Sequence, residues 1–182
     1  LSRVTFILPK KSSGLFITTI LKQQLSHTTF LPRILSIEEF AKEISGFEIL
    51  DNIGLIFEFY RVYQANTQKG ATDTFENFSK WASILLQDFN DLDSNLFDTP
   101  SILAYLSDTK RIEQWQPGEE KGSPMIDNYL SFFDKIITYH AQFKSHLKKQ
   151  QTGYQGLVYR EAAETIAEFS KRHRDQKFIF AA

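Results

Sequence analysis

The stretch VTFILPKKSSGLFITTIL, residues 4–21, decides the class of fold. It reads as a buried strand at Val4–Leu8, a short basic turn rich in serine, and a helix. Two other short apolar runs, Arg33–Leu35 and Phe178–Phe180, have the same near-continuous hydrophobicity. Such strands belong to sheets covered on both faces, and the helical sequence between them implies parallel crossovers. The pattern predicts a helix-dominated α/β fold with a small parallel sheet.

The turn in this stretch does not match the phosphate-binding loop of nucleotide-binding proteins. That loop has the order G-x-x-x-x-G-K-[ST], because glycines let the backbone wrap the phosphates and the lysine opens the helix. Here Lys10 and Lys11 precede the single Gly14, and no glycine lies five residues before it. We therefore expect no ATP site. The turn is either an anion-binding loop at the end of a strand or a solvent-exposed turn with two surface lysines.

The composition limits which classes of binding partner and which cellular compartment are expected for this chain. The chain has 182 residues, a formal net charge of -1 and no cysteine. A charge this small means that any site for a polyanion must be a local patch. The lack of cysteine excludes disulfides and thiolate metal sites and fits the cytoplasm. Because no apolar run approaches the about 18 residues that cross a bilayer, we expect no membrane partner.

Helical patterns fill most of the region between the second and third strands. Ser36 and Glu39 form a capping signal for a helix that ends at Gly46, and Asp51 caps the next one. The apolar face expected for that next helix consists of Ile53, Ile56, Phe57, Tyr60 and Tyr63. Further helices are predicted over residues 75–96, 98–115, 125–150 and 158–172, with a loop at QPGEEKGSP, residues 116–124.

We expect the chain to divide into three segments. Residues 1–50 would hold the first strands and helices of the α/β core, 51–155 a helical insertion, and 156–182 the helix and strand that return to the core. The sequence does not begin with Met and stops within KFIFAA, which reads as a buried strand. We therefore expect a fragment of a longer protein.

The acidic run DFNDLDSNL partly resembles a calcium-binding loop. Counted from Asp91, it places Asp91, Asp93 and Asn95 at the first, third and fifth positions. The sixth position requires glycine and is Leu96, while the twelfth requires glutamate and is Ile102. The run is therefore predicted to be the solvated face of a helix.

No group of residues predicts a catalytic, metal or cofactor site. Glu119 and Lys121 belong to an E-x-K triplet, half of the PD-(D/E)XK nuclease signature, but they lie in a glycine-bounded loop instead of on a strand. A small metal-dependent nuclease is a third possibility, and it would require carboxylates among Asp88, Asp91, Glu119 and Glu120 to cluster within metal reach of one another. His140 occupies an apolar helical face and is predicted to be a core histidine with a satisfied nitrogen.

Three stretches together carry a family resemblance. They are VTFILPKKSSGLFITTIL, PRILSIEEFAKEISG, and TGYQGLVYREAAE leading to KFIFAA. The positions that carry the likeness are Pro9, Lys10, Lys11, Ser36, Ile37, Phe40, Tyr154, Gly156, Tyr159 and Arg160. They resemble the amino-terminal part of the AddB-type subunit of bacterial AddAB DNA-repair complexes, in the version without a working Walker A motif.

The resemblance implies the first helicase-like subdomain of superfamily I, with a sheet of P-loop-NTPase type that has lost catalysis and cofactor. It places Lys10, Lys11, Ser12 and Ser13 where active helicases hold motif Ia, which touches a single-stranded backbone. The chain would be a noncatalytic scaffold and single-stranded DNA guide in a double-strand-break repair nuclease, whose exonuclease domain lies downstream. The implied partners are single-stranded DNA, a helicase–nuclease subunit and the rest of the same chain.

The alternative is a helical protein-interaction module with no role in nucleic-acid binding. Such a module would hold a partner, or the rest of its own chain, on an apolar face. It would therefore expose contiguous apolar surface, with no basic strip beside the sheet.

Overall fold

The computed structural model describes residues 3–25, 29–67, 72–102, 104, 105 and 124–181. The strands are β1 (Val4–Leu8), β2 (Arg33–Ser36), β3 (Glu48–Ile49), β4 (Thr152–Gly153) and β5 (Lys177–Phe180). The helices are α1 (Ser13–Gln24), α2 (Ile37–Ser45), α3 (Asn52–Asn66), α4 (Phe75–Ser94), α5 (Pro124–Lys149) and α6 (Gln155–Arg172). They form two compact units, an α/β unit of residues 1–48 with 158–182 and a helical unit of residues 49–157.

The α/β unit contains a three-stranded parallel sheet in the order β2-β1-β5. Thr5 of the central strand lies opposite Arg33 on one side and Phe178 on the other. The prediction of a helix-dominated α/β fold with a small parallel sheet is therefore confirmed. The three predicted strands are present within one residue of their expected bounds.

Helices of the α/β unit pack on both faces of this sheet. On one face, the ring of Phe40 from α2 lies 5.4 Å from that of Phe178 and 5.7 Å from that of Phe169 on α6. On the other face, α1 approaches β2 so closely that a Cβ atom on Gly14 would lie 3.0 Å from Ile34 Cγ2. This two-sided cover accounts for the near-continuous hydrophobicity of the strands.

Both predicted ends of α2 have the expected capping geometry. The Glu39 amide donates to Ser36 Oγ at 3.1 Å, and the Ser36 amide donates to Glu39 Oε2 at 3.0 Å. This reciprocal pair satisfies two amides that a helix start leaves without partners. At the other end, Gly46 has φ 73°, a left-handed conformation that glycine adopts without steric cost.

The helical unit is held together by an aromatic core between α3, α4 and α5. Phe59 is fully buried at its centre, with ring centroids at 5.0 Å from Phe143, 5.3 Å from Phe78 and 6.0 Å from Phe89. The other members are Leu55, Val62, Tyr63, Ala82, Leu85, Leu86, Ile136, Tyr139, Leu147, Tyr154 and Leu157. Burying a side chain of this size contributes about 1.5–3 kcal/mol to folding.

The predicted apolar face of α3 was partly right. Tyr63 is buried, and Ile56 and Tyr60 pack against the core, but the prediction was wrong at Ile53 and Phe57. Ile53 and Phe57 are 68% and 50% exposed, whereas Leu55, Phe59 and Val62 are buried. This helix has apolar residues around most of its circumference, so two faces fit the helical period equally well. The partner helices select the face that contains Phe59.

One helix boundary and one pair of strands also differ from the prediction. Helix α6 begins at Gln155, three residues earlier than expected, so the glycine-containing TGYQG stretch is only partly a break. The short strands β3 and β4 pair with each other and were not predicted. A two-residue strand carries too little pattern to be recognised, and here Leu50 N donates to Gly153 O at 2.9 Å.

A helix was predicted from Asp98 to residue 115. Residues 99–102 are helical, and the predicted end lies outside the described residues. The loop predicted at 116–124 also lies outside them, except for Pro124, which begins α5. None of the helices in the described part of the chain is both long and apolar enough to cross a bilayer.

Candidate functional site

The loop between β1 and α1 lies at the carboxyl edge of the central strand. The chain leaves β1 towards β2 and later returns on the other side of β1 as β5. The loop is therefore next to the point where the strand order reverses, which is where ligands bind in open α/β sheets. Lys10, Lys11 and Ser12 lie in the loop, and Ser13 is the first residue of α1. All four predicted site residues are exposed and adjacent.

The backbone of this loop is not arranged as a phosphate cradle. The amides of Ser13, Gly14 and Leu15 donate to the carbonyls of Lys10, Lys11 and Ser12 at 3.2, 3.0 and 3.3 Å, so they are already used. A phosphate-binding loop instead points several amides at its ligand. Only the four residues 9–12 connect β1 with α1. Any anion bound here would therefore be bound mainly by side chains.

Lys11 is paired with an acidic residue of α2. Its Nζ lies 2.5 Å from Glu39 Oε1, and this hydrogen bond raises the pKa of Lys11 and lowers that of Glu39. Glu39 thus caps α2 and also offsets the charge of Lys11. Lys10 is exposed and has no ion-pair partner among the residues that the structure describes. The positive charge of the loop is therefore concentrated on Lys10.

Gly14 has a packing role instead of a ligand-binding one. It is the buried residue of α1, and the Ile34 side chain occupies the space next to its Cα. A side chain here would push α1 away from β2. The single glycine of this turn therefore sets the distance between α1 and the sheet.

A second polar cluster, which the sequence did not predict, lies in the core of the helical unit. Asp93 of α4 is fully buried. His140 Nε2 lies 3.4 Å from Asp93 Oδ2, and Lys144 Nζ lies 3.3 Å from Oδ1. The Tyr154 hydroxyl also donates to Oδ2. Three segments that are distant in sequence therefore meet at one carboxylate.

The surroundings of Asp93 keep its carboxyl group charged. Burial alone raises the pKa of Asp93, but hydrogen bonds from His140 and Tyr154 and the charge of Lys144 outweigh burial and hold that pKa well below its usual range. Because Asp93 has no solvent-accessible surface, it is not placed to meet a substrate. Asp93, His140, Lys144 and Tyr154 together form a polar cluster, here called the polar clamp, inside an apolar core. His140 is the core histidine that the sequence predicted.

The expectation that DFNDLDSNL forms a solvated helix face was therefore wrong at Asp93. The buried residues Phe78, Ala82, Leu85 and Phe89 of α4 continue at helical spacing to Asp93. That spacing was the signal that could have placed Asp93 in the core. It was missed because an unpaired acidic residue is almost never fully buried, and the partners of Asp93 are far away in sequence.

The stretch TGYQG, residues 152–156, belongs to the sequence that carries the family resemblance, and it packs against α4. Tyr154 binds Asp93, and the Gly156 amide donates to Asn90 Oδ1 at 2.8 Å. A Cβ atom on Gly156 would lie only 2.1 Å from the Asn90 carbonyl oxygen. The tyrosine and the glycine thus have complementary roles: one supplies a hydrogen bond and the other allows close approach.

The acidic residues do not form a metal site in the part of the chain that the structure describes. There, no three His, Asp or Glu side chains are grouped so that they could hold a metal ion. Asp91 is exposed, while Asp93 two residues later is used by the polar clamp. The E-x-K triplet with Glu119, Glu120 and Lys121 lies outside the described residues.

The chemistry available to this chain is that of an exposed basic loop in one unit and a closed polar clamp in the other. The loop can contact an anion through the Lys10 ammonium group and the hydroxyls of Ser12 and Ser13. No protein-family model matches the chain, and neither does any curated protein.

Proposed function

We propose that this chain is a noncatalytic, helicase-like part of a bacterial double-strand-break repair nuclease, in which the α/β unit is a scaffold and the loop after β1 guides single-stranded DNA. The observation that carries the proposal is the position of Lys10, an exposed lysine at the carboxyl edge of the central parallel strand. The resemblance to AddB-type subunits supplies the P-loop-NTPase type of sheet, the helicase-like subdomain and the repair context.

The charges around the loop after β1 favour weak contact with single-stranded DNA over tight binding. Lys11 shares its charge with Glu39, and Glu38 is exposed in the same first turn of α2. Lys10 therefore supplies the main phosphate contact, while Ser12 and Ser13 can donate to phosphate oxygens without adding charge. Such a loop would bind a strand weakly and in a salt-dependent way.

The affinity of the chain for single-stranded DNA tests this proposal. It can be measured by fluorescence anisotropy with a labelled oligothymidine of about 15 nucleotides, at salt concentrations from about 50 to 200 mM. Changing Lys10→Gln should reduce the slope of log affinity against log salt by about 0.7, the value for one phosphate contact on a single strand. Lys22→Gln, an exposed lysine near the other end of α1, is the matched control. Lys11→Gln should have a smaller effect because Glu39 already offsets its charge.

Absence of binding to the oligonucleotide at the lowest salt concentration would rule out the DNA-guide role. So would equal binding by the Lys10→Gln and wild-type proteins. A scaffold role would survive either result.

One observation favours the alternative, a protein-interaction module without a nucleic-acid role. Leu15 and Phe16 of α1 are 76% and 70% exposed, and Phe30 is 82% exposed. Several large apolar side chains exposed in one unit are typical of a surface that another polypeptide covers.

A Leu15→Ser, Phe16→Ser double variant tests whether these side chains form an exposed apolar surface. For an interaction surface, the variant should bind less hydrophobic dye while its free energy of unfolding stays within about 0.5 kcal/mol of wild type. If the chain is an interaction module with no nucleic-acid role, the wild-type protein should also fail to change the anisotropy of labelled oligothymidine. A large loss of stability would instead show that these side chains support the fold.

A further inference from the structure

A groove lined by hydrogen-bond donors lies between α3 and α5 in the helical unit. Its volume is about 350 Å³, and its polar lining consists of Arg61, Asn66, Gln142, Ser145, His146 and Lys149. Two small apolar residues complete it, and none of the lining residues is acidic. The groove lies wholly within the helical unit, so it is separate from the loop after β1.

The four lining residues of α5 share one face of that helix. Gln142, Ser145, His146 and Lys149 follow a spacing of three and four residues, which stacks side chains along one side of a helix. Lys149 is exposed and has no ion-pair partner within the described ranges of the chain. It therefore brings an uncompensated positive charge to one wall of the groove.

Glu58, which is not part of the lining, orients the donors on both walls. Its Oε2 lies 2.7 Å from His146 Nε2 on α5, and its Oε1 accepts from Arg61 Nη1 on α3 at 2.9 Å. The hydrogen bond from His146 lowers the pKa of Glu58, which keeps the carboxylate charged. Glu58 offsets one positive charge, so Arg61 and Lys149 together still leave the groove positive.

We propose that this groove binds phosphate groups. Guanidinium, ammonium, hydroxyl and amide donors are groups that proteins use to bind phosphate oxygens, and a carboxylate in the lining would repel the phosphate. A volume of about 350 Å³ falls at the small end of ligand pockets, which suits one or two phosphate groups better than a whole nucleotide. The phosphates could belong to a small free anion or to successive positions of a nucleic-acid strand.

Two titrations of the full chain test the proposal and separate these two sources. In the first, sodium pyrophosphate is added at constant ionic strength and ¹H–¹⁵N NMR signals are followed. In the second, labelled oligothymidine is followed by fluorescence anisotropy. Arg61→Gln and Lys149→Gln are the groove variants, and Lys80→Gln and Lys135→Gln are matched controls that remove exposed lysines elsewhere in the helical unit. Circular dichroism of each variant checks that it is folded.

Saturable pyrophosphate binding that each groove variant weakens about tenfold, with the controls unchanged, would establish the site. Stronger oligothymidine binding with the same sensitivity to Arg61 and Lys149 would identify a nucleic-acid backbone as the ligand. Failure of both ligands to saturate, or equal binding by the groove and control variants, would overturn the proposal. Oligothymidine binding that depends on Lys10 and not on Lys149, together with no saturable pyrophosphate binding, would likewise overturn it while leaving the proposed function intact.

Discussion

The hydroxyl of Tyr154 donates a hydrogen bond to the carboxylate of Asp93 and ties the residue before α6 to the last turn of α4. The same carboxylate accepts from His140 and pairs with Lys144 on α5. A single buried charge therefore connects three parts of the helical unit. Buried charges of this kind are costly unless every oxygen has a partner, so the cluster should be sensitive to the loss of any one group.

Replacing Asp93 with Asn should lower the free energy of unfolding by about 3 kcal/mol, because Lys144 loses its partner and the amide cannot accept from three donors. Tyr154→Phe should cost less, about 1–2 kcal/mol, since it removes one hydrogen bond. Urea denaturation measures both values. Asp91→Asn, an exposed neighbour on the same helix, is the control and should change stability by less than about 0.5 kcal/mol. Equal effects at positions 91 and 93 would contradict the buried clamp.

The clamp also predicts a loss of stability in acid. In the folded chain the pKa of Asp93 lies below its ordinary value, so below about pH 4 the unfolded chain binds a proton that the folded chain does not. Stability is therefore fully present above about pH 4 and falls as the pH drops towards the folded pKa. The difference in unfolding free energy between wild type and Asp93→Asn should shrink between about pH 4 and pH 2. A constant difference across this range would disprove the depressed pKa.

Gly156→Ala should destabilise the chain by about 3 kcal/mol, because the new methyl group would overlap the Asn90 carbonyl oxygen. Gly46→Ala is a useful comparison. Gly46 has open space around it but a left-handed backbone, so alanine there should cost only about 1 kcal/mol. Thermal denaturation of the two variants gives the order. A smaller effect at Gly156 than at Gly46 would mean that α6 and α4 are not in close contact.

Leu96→Gly should raise the free energy of unfolding by about 0.5–1 kcal/mol. Leu96 follows α4 with φ 56°, a left-handed conformation that is strained for leucine, and its side chain is 53% exposed. The amides of Leu96 and Phe97 donate to the carbonyls of Asp93 and Leu92 and close the helix end. Leu96→Ala keeps the strain and serves as the control. If glycine and alanine behave alike at this position in urea denaturation, the backbone is not strained there.

Much of the α/β unit was predictable because its signals are local. The strands at Val4–Leu8 and Arg33–Ser36 are short apolar runs, and the α2 helix carries its capping residues at both ends. These features depend on neighbouring residues, so a single sequence contains them. The salt bridge between Lys11 and Glu39 could not be predicted, because it depends on the parallel register that brings the ends of β1 and β2 together.

The helical unit was harder to predict because its contacts are distant in sequence. The period of α3 allowed two apolar faces, and only the packing of Phe59 against Phe78 and Phe143 selects one. Asp93 looked like a surface residue because its neutralising partners come from α5 and from the turn before α6. Local pattern therefore located the helices, but it did not identify the side of α3 that faces the core.

The pairing of β1 with β5 sets the order in which the chain can assemble. Val4 lies opposite Lys177, so the central strand gains its second neighbour only after nearly all of the described chain has been synthesised. The helical unit is one uninterrupted stretch, whereas the α/β unit is built from two separated ones. On a ribosome, the helical unit can therefore fold while β1 still has an unpaired edge, and we expect completion of the sheet to be a late step of folding.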